Sequence, residues 1–230
     1  MLYEEILKYF PQTMKQVLSN ENMNELEEIR VRNNLPLILK AGQAEKILDY
    51  VTNTEDINFI FQKICENSVY SYQKQIASGY ITIKGGHRVG IVGTAVLDAS
   101  GQVINFNYIS GLNFRMSREV KGCSNCMMNE IIRNSSSIYN ITRNISNGIL
   151  NKLQGLNVVV IDERGEISSS YRGVMQNDLG VRTDVINDIP KSIGMKIAIR
   201  SMAPQVLIAD EIGSEDDSEA IKYAMCCGVK

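Results

Sequence analysis

Histidine occurs once in the 230 residues, at His87, and cysteine five times. A lone imidazole gives no basis for a histidine-rich metal centre, no serine or cysteine nucleophile is arranged with it, and His87 reads as structural. The thiols are odd in number, and the first residues, MLYEEILKYF, carry acids where a secretion signal needs basic then apolar residues. Both points argue against a disulfide framework. Cys123 and Cys126 form a single C-x-x-C with no second pair to complete a zinc site, so free thiols are the expectation. Cys226 and Cys227, adjacent on an expected helix, fit packing better than chemistry. No run approaches the roughly eighteen apolar residues of a membrane-spanning helix, and a cytoplasmic chain is expected. Neither sign of charge dominates: the formal net charge of -2 gives no general pull toward nucleic acid or anionic lipid. No internal repeat occurs. Also missing is any G-x-x-x-x-G-K-[ST], the loop whose backbone cradles nucleotide phosphates.

What is present suffices for one large domain or two small ones. In LYEEILKYFPQTMKQVL, Leu2, Ile6, Leu7 and Phe10 share a helical face that Pro11 interrupts, which predicts two short helices or one that restarts. LEEIRVRNNLPLILK alternates Ile29 and Val31 with Glu28, Arg30 and Arg32, turns at two asparagines and enters a second apolar run at Pro36, a hairpin signature. In TNTEDINFIFQKICENS, Thr52 and Glu55 have capping-box spacing, and Ile57, Ile60, Phe61, Ile64 and Cys65 follow helical periodicity. A further helix through YSYQKQIASG ends at Gly79. After it, YITIKGGHRVGIVGTAVLD, QVINFNYIS and LNFRMS read as strands split by glycine turns. Residues 1–118 are thus expected to form a small α+β unit.

From 119 the texture changes. NEIIRNSSSIYNITRNISNGIL is polar and reads as a helix followed by poorly patterned chain. NVVVID and QVLIAD are short, continuous apolar runs, as strands buried on both faces of a parallel sheet require. Between them MKIAIRSMAP predicts a helix turn halted at Pro204. After them SEDDSEAIKYAMCCG predicts a helix with Ser214 as N-cap and Gly228 as its stop. The succession implies a doubly wound α/β domain over 119–230.

Acids stand where such strands end. A parallel strand delivers its carboxyl end to the crevice in which α/β domains bind ligands. Asp210 and Glu211 follow one run; Asp162 and Glu163, with Arg164 and Glu166 just beyond, follow the other. An aspartate there suits a hard cation held through its water shell, and a neighbouring glutamate can polarise water. The alternative is a strand running into a solvated loop and a helix N-terminus, where acids are favoured in any case. Arg172, Arg182 and Arg200 lie in the same region and suit phosphate oxygens or surface ion pairs alike. Gly85, Gly86, Gly90 and Gly93 with Arg88 fit either an anion-approaching backbone or a bend inside a sheet.

Taken in order, LEEIRVR, GYITIKGGHRVGIVG, NFRMSREV, VVVIDERGEI, RTDV, PKSIG and AIRSMAPQVLIADEIGSEDD resemble the stage III sporulation protein AA family of endospore-forming Firmicutes, most closely its clostridial members. That family is similar to the motor ATPases of type II and type IV secretion. The resemblance implies a RecA-like P-loop NTPase sheet, incomplete in this sequence, behind the α+β unit. It implies ATP and Mg²⁺ as cofactors. VLIADEIG matches the Walker B strand, making Asp210 the Mg²⁺-associated acid, through water, and Glu211 the catalytic carboxylate. VVVIDERGEI matches an acidic box, making Asp162, Glu163 and Glu166 second-tier acids near the γ-phosphate. Arg200 becomes a candidate for the subunit interface or the γ-phosphate, and Arg115 and Arg118 could reach phosphate from the N-terminal unit. Implied partners are further copies in a ring, hexameric in intact relatives, and membrane proteins of the channel between mother cell and forespore. The implied location is the mother-cell cytoplasm, peripheral to that complex, with no nucleic-acid partner.

Two departures stand out. Family members carry G-P-P-x-x-G-K-T-T where Asn140 is here followed directly by Ile141, a gap on the order of twenty residues by strand and helix rise. The family also continues beyond the position of Lys230. A sheet without those strands is expected to fold poorly, and a chain without the loop to hydrolyse nothing. The second functional expectation is therefore a nucleotide-incompetent scaffold subunit of the same channel.

Overall fold

A computed structural model describes residues 2–21, 26–117 and 156–229. The chain divides into two compact units, Met1–Ser117 and Arg118–Lys230. Arg118, Cys123, Cys126, the Asn140–Ile141 junction and the expected helix after 119 lie outside the described residues.

In the first unit six strands form one antiparallel sheet: β1 Glu28–Arg32, β2 Pro36–Ala41, β3 Ala44–Val51, β4 Tyr80–Ile83, β5 His87–Leu97 and β6 Val103–Arg115, in the order β3-β2-β1-β6-β5-β4. Alternation in β1 turns Ile29 and Val31 into the core and leaves Glu28, Arg30 and Arg32 half-buried on the other face. The helices α1 Leu2–Leu7, α2 Gln12–Ser19, α3 Thr54–Ile64 and α4 Gln73–Ala77 complete that core. Phe10, Met14, Ile57, Ile60 and Ile64 pack there, with the Phe10 ring 4.8 Å from that of Phe114. Pro11 separates α1 from α2, as its missing N–H requires. The β1–β2 hairpin pairs Glu28 with Lys40, and Asn34 takes the left-handed conformation of its turn, φ 58°.

Two local expectations shift. The capping box of α3 is Asn53 with Asp56, not Thr52 with Glu55: the Asn53 side chain accepts from the Asp56 N–H at 2.9 Å. Thr52 is unavailable because its own backbone pairs with Asn34 and Leu35. Residues 103–115 form one strand, not two split at a glycine. Gly111 sits inside it because a Cβ there would come within 3.1 Å of the Val31 carbonyl oxygen on the neighbouring strand. The irregularities are two register shifts against β5, between Val92 and Thr94 and between Val96 and Leu97. His87 is buried, and its Nδ1 accepts from the Ser117 N–H at 2.9 Å, tying the start of β5 to the chain leaving β6.

In the second unit β7 Val158–Asp162, β8 Thr183–Asn187 and β9 Val206–Ala209 run parallel in the order β8-β7-β9. β7 is buried at every position. Its alternate residues feed two cores, Val158 and Val160 with Ile167, Leu179 and Ile208, and Val159 and Ile161 with Met195, Ala198 and Ala220. The second core carries two helices, α5 Lys191–Ser201 and α6 Glu215–Cys226. α6 begins at Ser214 as expected, in a capping box with Asp217, and Gly228 follows it with φ 77°. α5 is longer than the single turn expected and starts after Pro190. Gly194 lets it sit close to β7: a Cβ would lie 2.7 Å from Ile161 Cγ2. β8 is an addition to the expected strands; Asp184 interrupts its apolar pattern.

Candidate functional site

The three described strands of the second unit deliver their carboxyl ends to one edge of the sheet. Ile161 lies opposite Ala209, so Asp162 and Asp210 stand one strand apart there. Asp162 is fully buried and turned into its own loop. Its Oδ1 accepts from the N–H of Glu166 at 2.7 Å and of Ile167 at 3.2 Å. Its Oδ2 accepts from the N–H and the hydroxyl of Ser168 at 2.8 and 2.6 Å. These bonds organise residues 163–168 and hold the neighbouring Glu163 and Glu166 at the edge.

Glu163 meets a residue that the sequence patterns did not single out. Lys191 Nζ lies 2.6 Å from Glu163 Oε2 and 3.3 Å from Asp210 Oδ1, with its side chain 5% exposed. As the first residue of α5 it places a cation at the positive end of the helix dipole, an unfavourable position unless acids surround it. Burial works to lower its pKa, but the Glu163 hydrogen bond and the charges of Asp210 and Glu163 hold it raised. The signal in the sequence was a lysine directly after proline at a helix start, opposite two acid-tipped strands.

Asp210 is buried, and its Oδ1 also accepts from the Glu211 N–H at 2.9 Å. Its Oδ2 is buried with no hydrogen-bond donor among the described residues. Leaving such an acceptor empty costs about 1–3 kcal/mol. Glu211 is half exposed and forms an ion pair with Arg164 at 2.9 Å. Asp217 Oδ2 accepts from the N–H groups of Gly213 and Ser214, both at 3.1 Å. Burial opposes its charge, yet these bonds, helped by Lys191, keep its carboxyl below the usual range.

The arginines disperse. Arg200 is exposed in the last turn of α5, about 13 Å of helix from Lys191. α5 runs away from the acid edge and carries Arg200 with it. Arg182 stands at the opposite edge too, its carbonyl accepting from the Val158 N–H that opens β7. Arg172 lies against the Tyr171 ring. Arg115 is exposed on β6 in the first unit, in register with Glu28 and Arg88. Among the described residues no three His, Cys, Asp or Glu side chains converge as a ready-made metal cage, and no helix is long and apolar enough to cross a membrane.

This α/β architecture, with parallel and antiparallel sheets, is that of the secretion ATPases. The Legionella pneumophila ATPase DotB superposes with a TM-score of 0.56 at 14% identity, covering 96% of this chain and 64% of that one. The pilus retraction motor PilT with bound ADP gives 0.59 at 10% identity over 96% and 63%. DotB of Yersinia pseudotuberculosis gives 0.60 at 12% identity over 96% and 64%. The chain thus spans under two thirds of each of these chains. The chain belongs to the family described as "Sporulation stage III, protein AA", which matches residues 2–230. Stage III sporulation protein AA of Bacillus subtilis (strain 168) is 32% identical over 244 residues, 98% of this chain and 78% of that protein. The matched stretch is longer than the 230 residues of this chain, so the relative carries residues with no counterpart here.

Proposed function

We propose that the protein is a sporulation-specific, secretion-type motor ATPase subunit that energises the channel between mother cell and forespore. In this reading it works as a ring, on membrane proteins of the stage III complex, from the mother-cell cytoplasm. Asp210 carries the reading: a buried carboxylate at the carboxyl edge of a parallel strand, one oxygen lacking a donor among the described residues. Oxygen donors suit a hard cation, and Mg²⁺ takes one or two carboxylates alongside water and phosphate rather than a complete protein cage. When bound, Mg²⁺ supplies neutralisation of the charge on ATP phosphates.

The chain's own residues then divide the work. Asp210 would hold the ion through its water shell. Glu211 is held by Arg164 in a half-exposed pair worth at most about 1 kcal/mol, and where a phosphate cradle is present it would be the carboxylate free to polarise water. Asp162 orders the loop that presents Glu163 and Glu166. Arg115, Arg118 and, from a neighbouring copy, Arg200 are the candidates to supply positive charge toward phosphate.

The phosphate cradle itself does not fit the sequence, which contains no G-x-x-x-x-G-K-[ST]. We derive no hydrolytic step for the chain without it. That observation favours a second reading, a nucleotide-incompetent subunit that scaffolds the same channel. Mg²⁺-dependent ATPase assays on material of verified mass separate the two. The 25.7 kDa chain is expected to be inactive, and a form with the family's loop restored between Asn140 and Ile141 is expected to hydrolyse ATP. Glu211→Gln should lower that activity by about 10²-fold or more. Hydrolysis by the 25.7 kDa material would refute the cradle argument; a loop-restored form indifferent to Glu211→Gln would refute the motor assignment.

A further inference from the structure

We infer that Lys191 is a resident cation of the acid edge: its ammonium sits where a divalent ion shared by Glu163 and Asp210 would sit, and it withdraws before that ion is held. The inference rests on the reading of Asp210 as the metal-associated acid.

Helix chemistry makes Lys191 an anomaly. The helices α3 and α6 open with acids, Glu55 and Asp56 in one and Glu215, Asp216 and Asp217 in the other, as the dipole favours. α5 has no acid in its first turn and opens with a buried lysine. Its ammonium contacts carboxylates from two strand ends, at 2.6 and 3.3 Å. Without it, those two acids would face each other with no countercharge from this helix.

Yet the lysine does not complete the site. Among the described residues Asp210 Oδ2 has no donor even with Nζ beside Oδ1. A divalent ion with its water shell can satisfy both oxygens, and six-coordinate geometry offers more contacts than the three donors of an ammonium. The ammonium and the ion cannot occupy the edge together, because they would share Asp210 Oδ1 and repel. Glu163 is 36% exposed, so one side of the ion pair borders solvent, and the flexible stem gives the ammonium a way out. An anionic ligand arriving with the ion offers the displaced ammonium a new partner. Ion and anion are then taken up together, and the ion alone is held weakly.

The test uses Mn²⁺ alone, titrated without nucleotide and followed by the electron spin resonance of the free ion. The full chain is compared with Lys191→Met, Asp210→Asn and the double variant, and each is melted in EDTA and in Mn²⁺. Lys191→Met is expected to bind Mn²⁺ about tenfold or more tightly than the parent chain, since a positive charge leaves the ion's position. It should melt below the parent in EDTA and recover in Mn²⁺, whereas the parent melt stays unchanged. Adding Asp210→Asn should abolish the gain. If Lys191→Met melts too low to titrate, Lys191→Gln, which keeps a donor for Glu163, carries the same expectation. Binding no tighter in either lysine variant, with Mn²⁺ still lost on Asp210→Asn, overturns the role of Lys191 and leaves Asp210 as the metal-associated acid. Mn²⁺ binding indifferent to Asp210→Asn overturns both.

Discussion

Asp162→Asn separates a residue that builds the edge from one that serves a ligand. The wild-type carboxylate accepts from four donors, the N–H groups of Glu166, Ile167 and Ser168 and the Ser168 hydroxyl, with no exposure to water. An asparagine keeps one acceptor oxygen. Suppose that it stays on Glu166 and Ile167. The new NH₂ then faces Ser168, whose hydroxyl can rotate to accept from it, but the Ser168 N–H is left opposing another donor. That unmet N–H costs about 1–3 kcal/mol, and the bonds that remain lose the strengthening of a charged acceptor, about 1 kcal/mol more for each. The expected loss is roughly 3–5 kcal/mol, a large share of the about 5–15 kcal/mol that holds a typical domain. Urea unfolding followed by far-ultraviolet circular dichroism measures it, and hydrogen exchange at the amides of 166–168 locates it. Those amides should lose protection whether or not nucleotide is present. A variant that unfolds within about 1 kcal/mol of wild type, with the three amides still protected, would refute this reasoning and return Asp162 to the ligand-binding acids.

Gly194→Ala would ordinarily strengthen a helix by about 1 kcal/mol. Here the new methyl lies 2.7 Å from Ile161 Cγ2 and 3.1 Å from Ile189 Cγ2, and Ile161 is fully buried in β7. A net destabilisation of about 1–3 kcal/mol is expected from thermal melts, and a raised Tm would show that α5 can stand away from the sheet. Burial pushes the Cys65 thiol up to about 12. In a Cys123→Ser, Cys126→Ser background, Ellman's reagent should therefore modify exposed Cys226 and Cys227 in the native protein and Cys65 only after unfolding. Rapid modification of Cys65 would contradict its burial.

Elements whose stability is local were legible without coordinates. The periodicity of Ile57, Ile60 and Ile64 marked α3, alternation around Ile29 and Val31 marked the first hairpin, and unbroken apolar runs marked β7 and β9 as parallel strands. The cap of α3 came out one residue displaced, because Thr52 was already committed to pairing with Asn34 and Leu35. β8 escaped notice because Asp184 breaks its apolar pattern, leaving only Thr183, Val185 and Ile186 to signal it. The long β6 was misjudged at Gly111, where a glycine needed for close approach of a neighbouring strand resembles a glycine needed for a turn.

For the site, the residues themselves determined that two acid-tipped strands share one edge: parallel strands of one sheet end on the same side. They also determined what is missing, since a phosphate cradle needs its own glycines and lysine in sequence. Which acids face outward was decided only by tertiary structure. Asp162 and Asp210 occupy equivalent places in similar sequences, yet one is saturated by its own loop while the other keeps an empty oxygen. Lys191, 19 residues before Asp210 and 28 after Glu163, becomes part of the edge only because α5 starts beside it. Arg200 leaves it because the same helix ends elsewhere. Side-chain direction and the packing of a helix on a sheet depend on contacts between residues far apart in the chain, and local pattern carries no record of them.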